Sequence, residues 1–276
     1  MDELQLLRKK TGMTIAKAWI LMVSAVILFL IGMFILGVIA ALKNINPIYL
    51  IENAIFGILA IIIFLCALWG FFINKRQLPF FQKQSLFSVL VCIIIALAWS
   101  FISPIIVDFL PFNEDESNNL QRVGVHTLLG LILSLLFTTL QIGIIGHGLL
   151  KNYLFKQVIF TVATVSIVMV IPQAVIGLFI QTLIMFYIYY KTASFQLPLL
   201  MTATLSLVED IFKFIFGNGV ETKNYIRIYL VPNEILYYLD IFACFCIIIG
   251  GLFYIKNQTK AIEWQKPQED ENIAFL

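Results

Sequence analysis

The side chains in this chain able to take a proton, hold a metal or attack a carbonyl are few: two histidines, four cysteines and a few carboxylates within apolar sequence. His147 lies in Ile144-Ile145-Gly146-His147-Gly148, and His126 sits near the other end of the same apolar run. Imidazole titrates near neutrality, so His147 is the natural candidate for a general base. A working base also needs a group that orients it and donors aimed at the charge that develops. No acidic residue lies near His147 in sequence, so it reads as a hydrogen-bonded structural histidine. Cys66, Cys92, Cys244 and Cys246 all fall in apolar runs, and Cys244-Phe245-Cys246 lacks the two-residue spacer of a zinc site. They read as small buried side chains, with no metal and no cofactor expected.

Charged groups inside apolar segments are costly and each calls for an account. Asp240 lies within Tyr238-Leu239-Asp240-Ile241, Glu234 precedes it, and Glu209 and Asp210 stand one helical turn before Lys213. Two readings stay open. These carboxylates pair with Lys213 or Arg227, with Asp240 protonated and bonded to a neighbouring helix. Alternatively Gln141, Glu234 and Asp240 outline an intramembrane polar cavity or a contact with a partner helix.

The elements that must position these groups are apolar helices. Hydrophobic residues make up 61% of the 276 and charged ones 12%, with a mean hydropathy of +0.97; a water-soluble fold is excluded on composition. About 20 apolar residues cross the hydrocarbon as a helix, which satisfies its own backbone groups. The pattern predicts an all-α polytopic bundle of about eight transmembrane helices: Ala18 to Leu42, Ile48 to Ile73, Leu86 to Leu110, Val125 to Leu150, Val158 to Ile171, Ala174 to Tyr190, Leu197 to Phe216 and Ile228 to Ile255. The fifth is short, and Pro172 makes a tight hinge to the sixth. With the N-terminus inside, only Lys43, Arg122, Lys213, Lys223 and Arg227 of the 18 basic residues fall outside, which favours both termini in the cytoplasm.

Three parts follow: residues 1–17 as an interfacial segment with Leu4, Leu6 and Leu7 beside Arg8, Lys9 and Lys10; residues 18–255 as one membrane domain; and residues 256–276 as a solvated cytoplasmic tail. The first apolar run is too long for a cleaved signal. A net charge of +2 gives no reason to expect nucleic acid. Lysine outnumbering arginine, with abundant Ile, Phe and Asn, suggests an AT-rich bacterial genome, and hence a multi-pass protein of the plasma membrane.

Two stretches carry a resemblance. The first is Gly146-His147-Gly148-Leu149-Leu150-Lys151 at the end of the fourth span; the second is Tyr189-Tyr190-Lys191-Thr192-Ala193-Ser194 leading into the seventh. They resemble the signatures of the CAAX protease and bacteriocin-processing (Abi) family, whose members have Glu-Glu-x-x-x-Arg-Gly followed by a Tyr-x-x-Thr-Gly-Ser turn and a helix bearing His-x-x-x-Asn. The likeness covers roughly Val125 to Ser206. Laid residue by residue, the paired glutamates fall on Gly146 and His147 and the arginine on Lys151. The Phe-x-x-x-His of the fifth span falls on Met169 and Gln173, and the last histidine and asparagine on Thr202 and Ser206. The groups that would activate water and stabilise an oxyanion are replaced, so the resemblance implies the protease frame without its chemistry.

The resulting expectation is a non-catalytic membrane scaffold or regulatory subunit that binds a partner membrane protein, with no catalytic residue. The resemblance implies cell-wall enzymes, sensor kinases or immunity-type targets as partner classes. Gly143, Gly146, Gly148, Thr202 and Ser206 would line the groove for a partner's transmembrane helix, since small and hydroxylated residues permit close approach. An intramembrane endopeptidase or acyl-transfer enzyme with an atypical site is the alternative. A transporter is a third, although the first half shows no counterpart to the break at Pro172.

Overall fold

The computed structural model describes residues 12–43, 47–108, 125–169, 175–216 and 234–258. Among these the chain is helical, with no strand beyond one isolated bridge between Phe81 and Ser194. The long helices are α1 (Ile15–Leu42), α2 (Pro47–Ile73), α3 (Leu86–Asp108), α4 (Val125–Thr138), α5 (Phe155–Ser166), α6 (Val175–Thr192), α7 (Gln196–Phe216) and α8 (Glu234–Gln258). Six segments are long and apolar enough to cross a membrane: Ile15–Leu42, Ala54–Ile73, Leu86–Ser103, Leu128–Leu149, Val175–Thr192 and Ile235–Asn257. Phe155–Ser166 and Gln196–Val208 are apolar but shorter. The 12 residues of α5 rise only about 18 Å, well short of a hydrocarbon core of about 30 Å.

Local signals explain several boundaries. Thr14 caps α1 by accepting from the Lys17 N–H at 3.3 Å, so the helix starts at Ile15, ahead of the apolar run beginning at Ala18. Pro47 opens α2, where its missing N–H costs nothing. At the other end of α2, Lys75 (φ 56°) and Arg76 (φ 61°) turn left-handed and stop the helix. Ala193 (φ 46°) does the same for α6. The segment before Ile15 expected to lie on headgroups, the Pro172 hinge and the tail after Gln258 fall largely or wholly outside the described residues.

α4 does not end as a regular helix. It passes into a π-helix, Thr139–Gly146, and closes with one α turn, His147–Leu149. The Thr139 hydroxyl donates to the Leu135 carbonyl at 2.8 Å, a side-chain bond that competes with the ladder where it widens. The π segment lies at the centre of the packing: Leu140, Gln141, Ile142, Gly143, Ile144, Ile145 and Gly146 are all buried. α2, α5 and α6 pack against it. Around this centre α1 packs on α2, α2 on α4, α4 on α7, α7 on α3 and α3 on α8, while α5 and α6 form a hairpin. α1 and α8 are the outermost, each with only 11% of its apolar window buried within the protein.

Candidate functional site

Asn74, His147 and Tyr189 come together at the end of the bundle where the turn after α4, the end of α6 and the connection from α2 to α3 meet. His147 is 3% exposed. Its Nδ1 and the Tyr189 hydroxyl are hydrogen-bonded at 2.8 Å. That hydroxyl also accepts from the Phe80 backbone N–H at 3.3 Å, so one phenol ties a turn of α4 to the α2–α3 connection. The Phe80 ring stands edge-on to the imidazole, with centroids 5.0 Å apart. His147 is thus clamped between an aromatic edge and a phenol, and no carboxylate is among the partners that hold it. Lys151 lies just beyond, exposed, with partial desolvation drawing its amine below the usual lysine range.

The glycines around it are filled from within the chain. A Cβ on Gly143 would come within 3.0 Å of the Phe195 ring, one on Gly146 would run into Phe186, and one on Gly148 into the Asn74 amide. The Asn74 Nδ2 donates to the Ile144 carbonyl at 2.7 Å, an acceptor inside the π segment. Gly148 has to be small because that amide crosses it. The positions expected to form an open groove for a partner helix are occupied by this chain's own Phe195, Phe186 and Asn74.

Thr202 and Ser206 are engaged elsewhere. Thr202 shares a hydrogen bond with Thr138 at 2.8 Å and donates to the Pro198 carbonyl at 2.9 Å. Ser206 pairs with Ser134 at 3.0 Å. These two hydroxyl pairs form a ladder joining α4 to α7. Thr138 precedes His147 by nine positions, about two turns along the helix, and the ladder runs away from the imidazole. The motif positions on α4 and α7 therefore do not converge on one another. Gln173 is outside the described residues, as are the side chains of Met169, Glu234 and His126.

Gln141 and Asp240 stand on different elements. Gln141 is 1% exposed in the π segment, and its Nε2 has no hydrogen-bond partner among the described residues. Asp240 is half-buried on the face of α8 shared with Cys244 and Ile248, and α8 packs on α3 and α6. Among the described residues no three His, Cys, Asp or Glu side chains come together as metal ligands would.

Sequence reasoning missed the partners. Asn74, Phe80 and Tyr189 hold the site, yet only Tyr189 stood in a motif. Asn74 was legible in principle: it is the last polar residue before Lys75 at a span end, where a buried amide must find an acceptor.

The six long apolar helices among the described residues define a multi-pass α-helical membrane protein. No family model, no curated protein and no solved structure matches the chain.

Proposed function

We propose that this protein is a non-catalytic scaffold or regulatory subunit of a membrane assembly, in a protease-like frame whose likeness to the CAAX family rests on the motif residues alone. The observation that carries the reading is the locked state of His147: bonded to Tyr189, edged by Phe80 and without a carboxylate to orient it as a base. Hydrolysis or acyl transfer at this site would need His147 freed and a second group brought to it. Neither Thr202 nor Ser206, bonded to Thr138 and Ser134, is placed to serve.

Because the small residues of the interior are packed by the chain itself, a partner helix meets the outer faces instead. α8 offers Leu239, Phe242 and Phe245 there, with Gly250 open to close approach. Eight spans with both termini in the cytoplasm belong to the same proposal. Lys17, Lys75, Arg76, Lys83, Lys151, Lys156 and Lys191 stand at the bundle end where Tyr153 meets Ile15 and Phe80 meets Phe195, whereas Lys43 closes α1 at its other end.

The test is affinity purification in mild detergent of wild type and of Gly250→Trp and Phe242→Ala variants. One stoichiometric membrane partner, lost from the variants at unchanged abundance of this protein, supports the scaffold. Peptide cleavage or acyl transfer by purified protein, abolished by His147→Ala, would replace it with the enzyme reading.

A further inference from the structure

We propose that the connection between α2 and α3 is a rigid binding surface for anionic phospholipid headgroups of the bilayer the protein spans. This inference rests on the membrane assignment and is independent of the scaffold reading. The segment reads Asn74-Lys75-Arg76-Gln77-Leu78-Pro79-Phe80-Phe81-Gln82-Lys83-Gln84-Ser85, with three cations and no acidic residue.

The loop is fixed in place. Phe195 N–H donates to the Phe80 carbonyl at 2.9 Å, and Gln82 N–H to the Ala193 carbonyl at 3.3 Å. The Tyr189 hydroxyl accepts from Phe80 N–H at 3.3 Å, and the Gln84 side chain reaches the Thr192 carbonyl at 3.0 Å. A segment held by this many bonds could hide its apolar side chains beneath itself. Yet Leu78 is 66% exposed and Phe81 53%, and Lys75, Arg76 and Lys83 are exposed beside them. Alternating cations and large apolar groups suit the zone where hydrocarbon gives way to phosphate.

Arg76 fixes the level. Its guanidinium lies 5.6 Å from the ring centre of Phe72, and that ring is 57% exposed on the outer side of α2. The exposed cation therefore stands at the rim of the lipid-facing surface, with an apolar base beneath it. Two consecutive non-glycine residues in the left-handed region, Lys75 and Arg76, hold this arrangement. Such strain persists only where the surroundings over-determine it. On the other side of the bridge, Thr192 to Gln196 add no charge of either sign.

A cation near an anionic bilayer surface favours it about fivefold, so three give a preference on the order of a hundredfold over a zwitterionic surface. The experiment uses the full chain in nanodiscs of phosphatidylcholine doped with a photoactivatable phosphatidylglycerol, with cross-links mapped to peptides by mass spectrometry. Cross-links within residues 77–83 should be competed by unlabelled phosphatidylglycerol and not by phosphatidylcholine. They should be lost in the Lys75→Gln/Arg76→Gln/Lys83→Gln variant and kept in Lys43→Gln. If the triple variant is not monodisperse, Lys83→Gln alone, whose side chain holds no other element, should weaken the competition about fivefold. Equal competition by phosphatidylcholine, cross-links that survive in the charge-free loop, or displacement by an acidic peptide as readily as by the lipid would each overturn the assignment.

Discussion

The contact between Asn74 and Gly148 makes a double-mutant cycle whose outcome follows from the geometry. Asn74 is 5% exposed and donates to the Ile144 carbonyl at 2.7 Å, so Asn74→Ala removes the side-chain donor and leaves that buried acceptor only the shared His147 N–H. The cost expected is about 1–3 kcal/mol. Gly148 sits under the same amide, with its ideal Cβ position 2.6 Å from Asn74 Nδ2. Gly148→Ala must therefore push the amide off its acceptor, losing the same bond and adding a steric cost, against a gain of about 1 kcal/mol from helix propensity. No other side chain comes within the three nearest contacts of that Cβ. In an Asn74→Ala background those three nearest contacts are gone, and Gly148→Ala should become neutral or stabilising by up to about 1 kcal/mol. The two changes should thus be coupled by about 2–4 kcal/mol. Unfolding of the four proteins by dodecyl sulfate in mixed micelles measures the cycle. A Gly148→Ala cost that is the same in both backgrounds would refute this account of the glycine and of the amide clip.

Three further outcomes are expected. Tyr189→Phe should cost about 1–3 kcal/mol and speed amide exchange at Phe80 specifically, because it removes the phenol that bonds both His147 and the Phe80 N–H; protection at Phe80 equal to wild type would contradict the bridge. Gly146→Leu should lower folded yield through overpacking against Phe186 by about 1–3 kcal/mol or more, and Phe186→Ala in the same chain should recover part of it; no recovery would remove that contact as the cause. In a cysteine-free background, Lys43→Cys and Lys83→Cys should be labelled by an impermeant reagent from opposite sides of the membrane, Lys83 from the cytoplasm; labelling of both from one side would sink the topology.

The helices could be read from the sequence because lipid enforces one solution for an apolar run, and boundaries such as Leu42, Ile73 and Leu86 fall where the runs predicted them. The π segment was not legible. No hydrophobic period distinguishes Thr139–Gly146 in a stretch that is apolar on every side, and its carbonyl outlet is set by Asn74, some 70 positions away. His147 was legible as a hydrogen-bonded structural residue. Its partners were not, since pairing with Tyr189 depends on how α6 returns to α4. The small residues illustrate a general ambiguity: Gly143, Gly146 and Gly148 announce close approach, but a sequence does not say whether the approaching group belongs to the same chain. Here Phe195, Phe186 and Asn74 supply it.

The widened turn and the closed site have one cause. A π segment inside an α-helix interrupts the regular ladder, and any buried carbonyl displaced from it needs another partner. Asn74 provides one for Ile144, and the one closing turn that follows delivers His147 to Tyr189. Tyr189 in turn holds Phe80, and Phe80 is bridged to the residues that terminate α6. The irregular segment, the histidine and the loop at the membrane surface form one connected set of bonds. A disturbance at the headgroup-facing loop has a direct physical route to the π segment through Phe80, Tyr189 and His147. An opening of His147 would break its hydrogen bond to the phenol that also holds the Phe80 N–H, so conversion of the imidazole to a base would loosen the tie between the core and the surface loop.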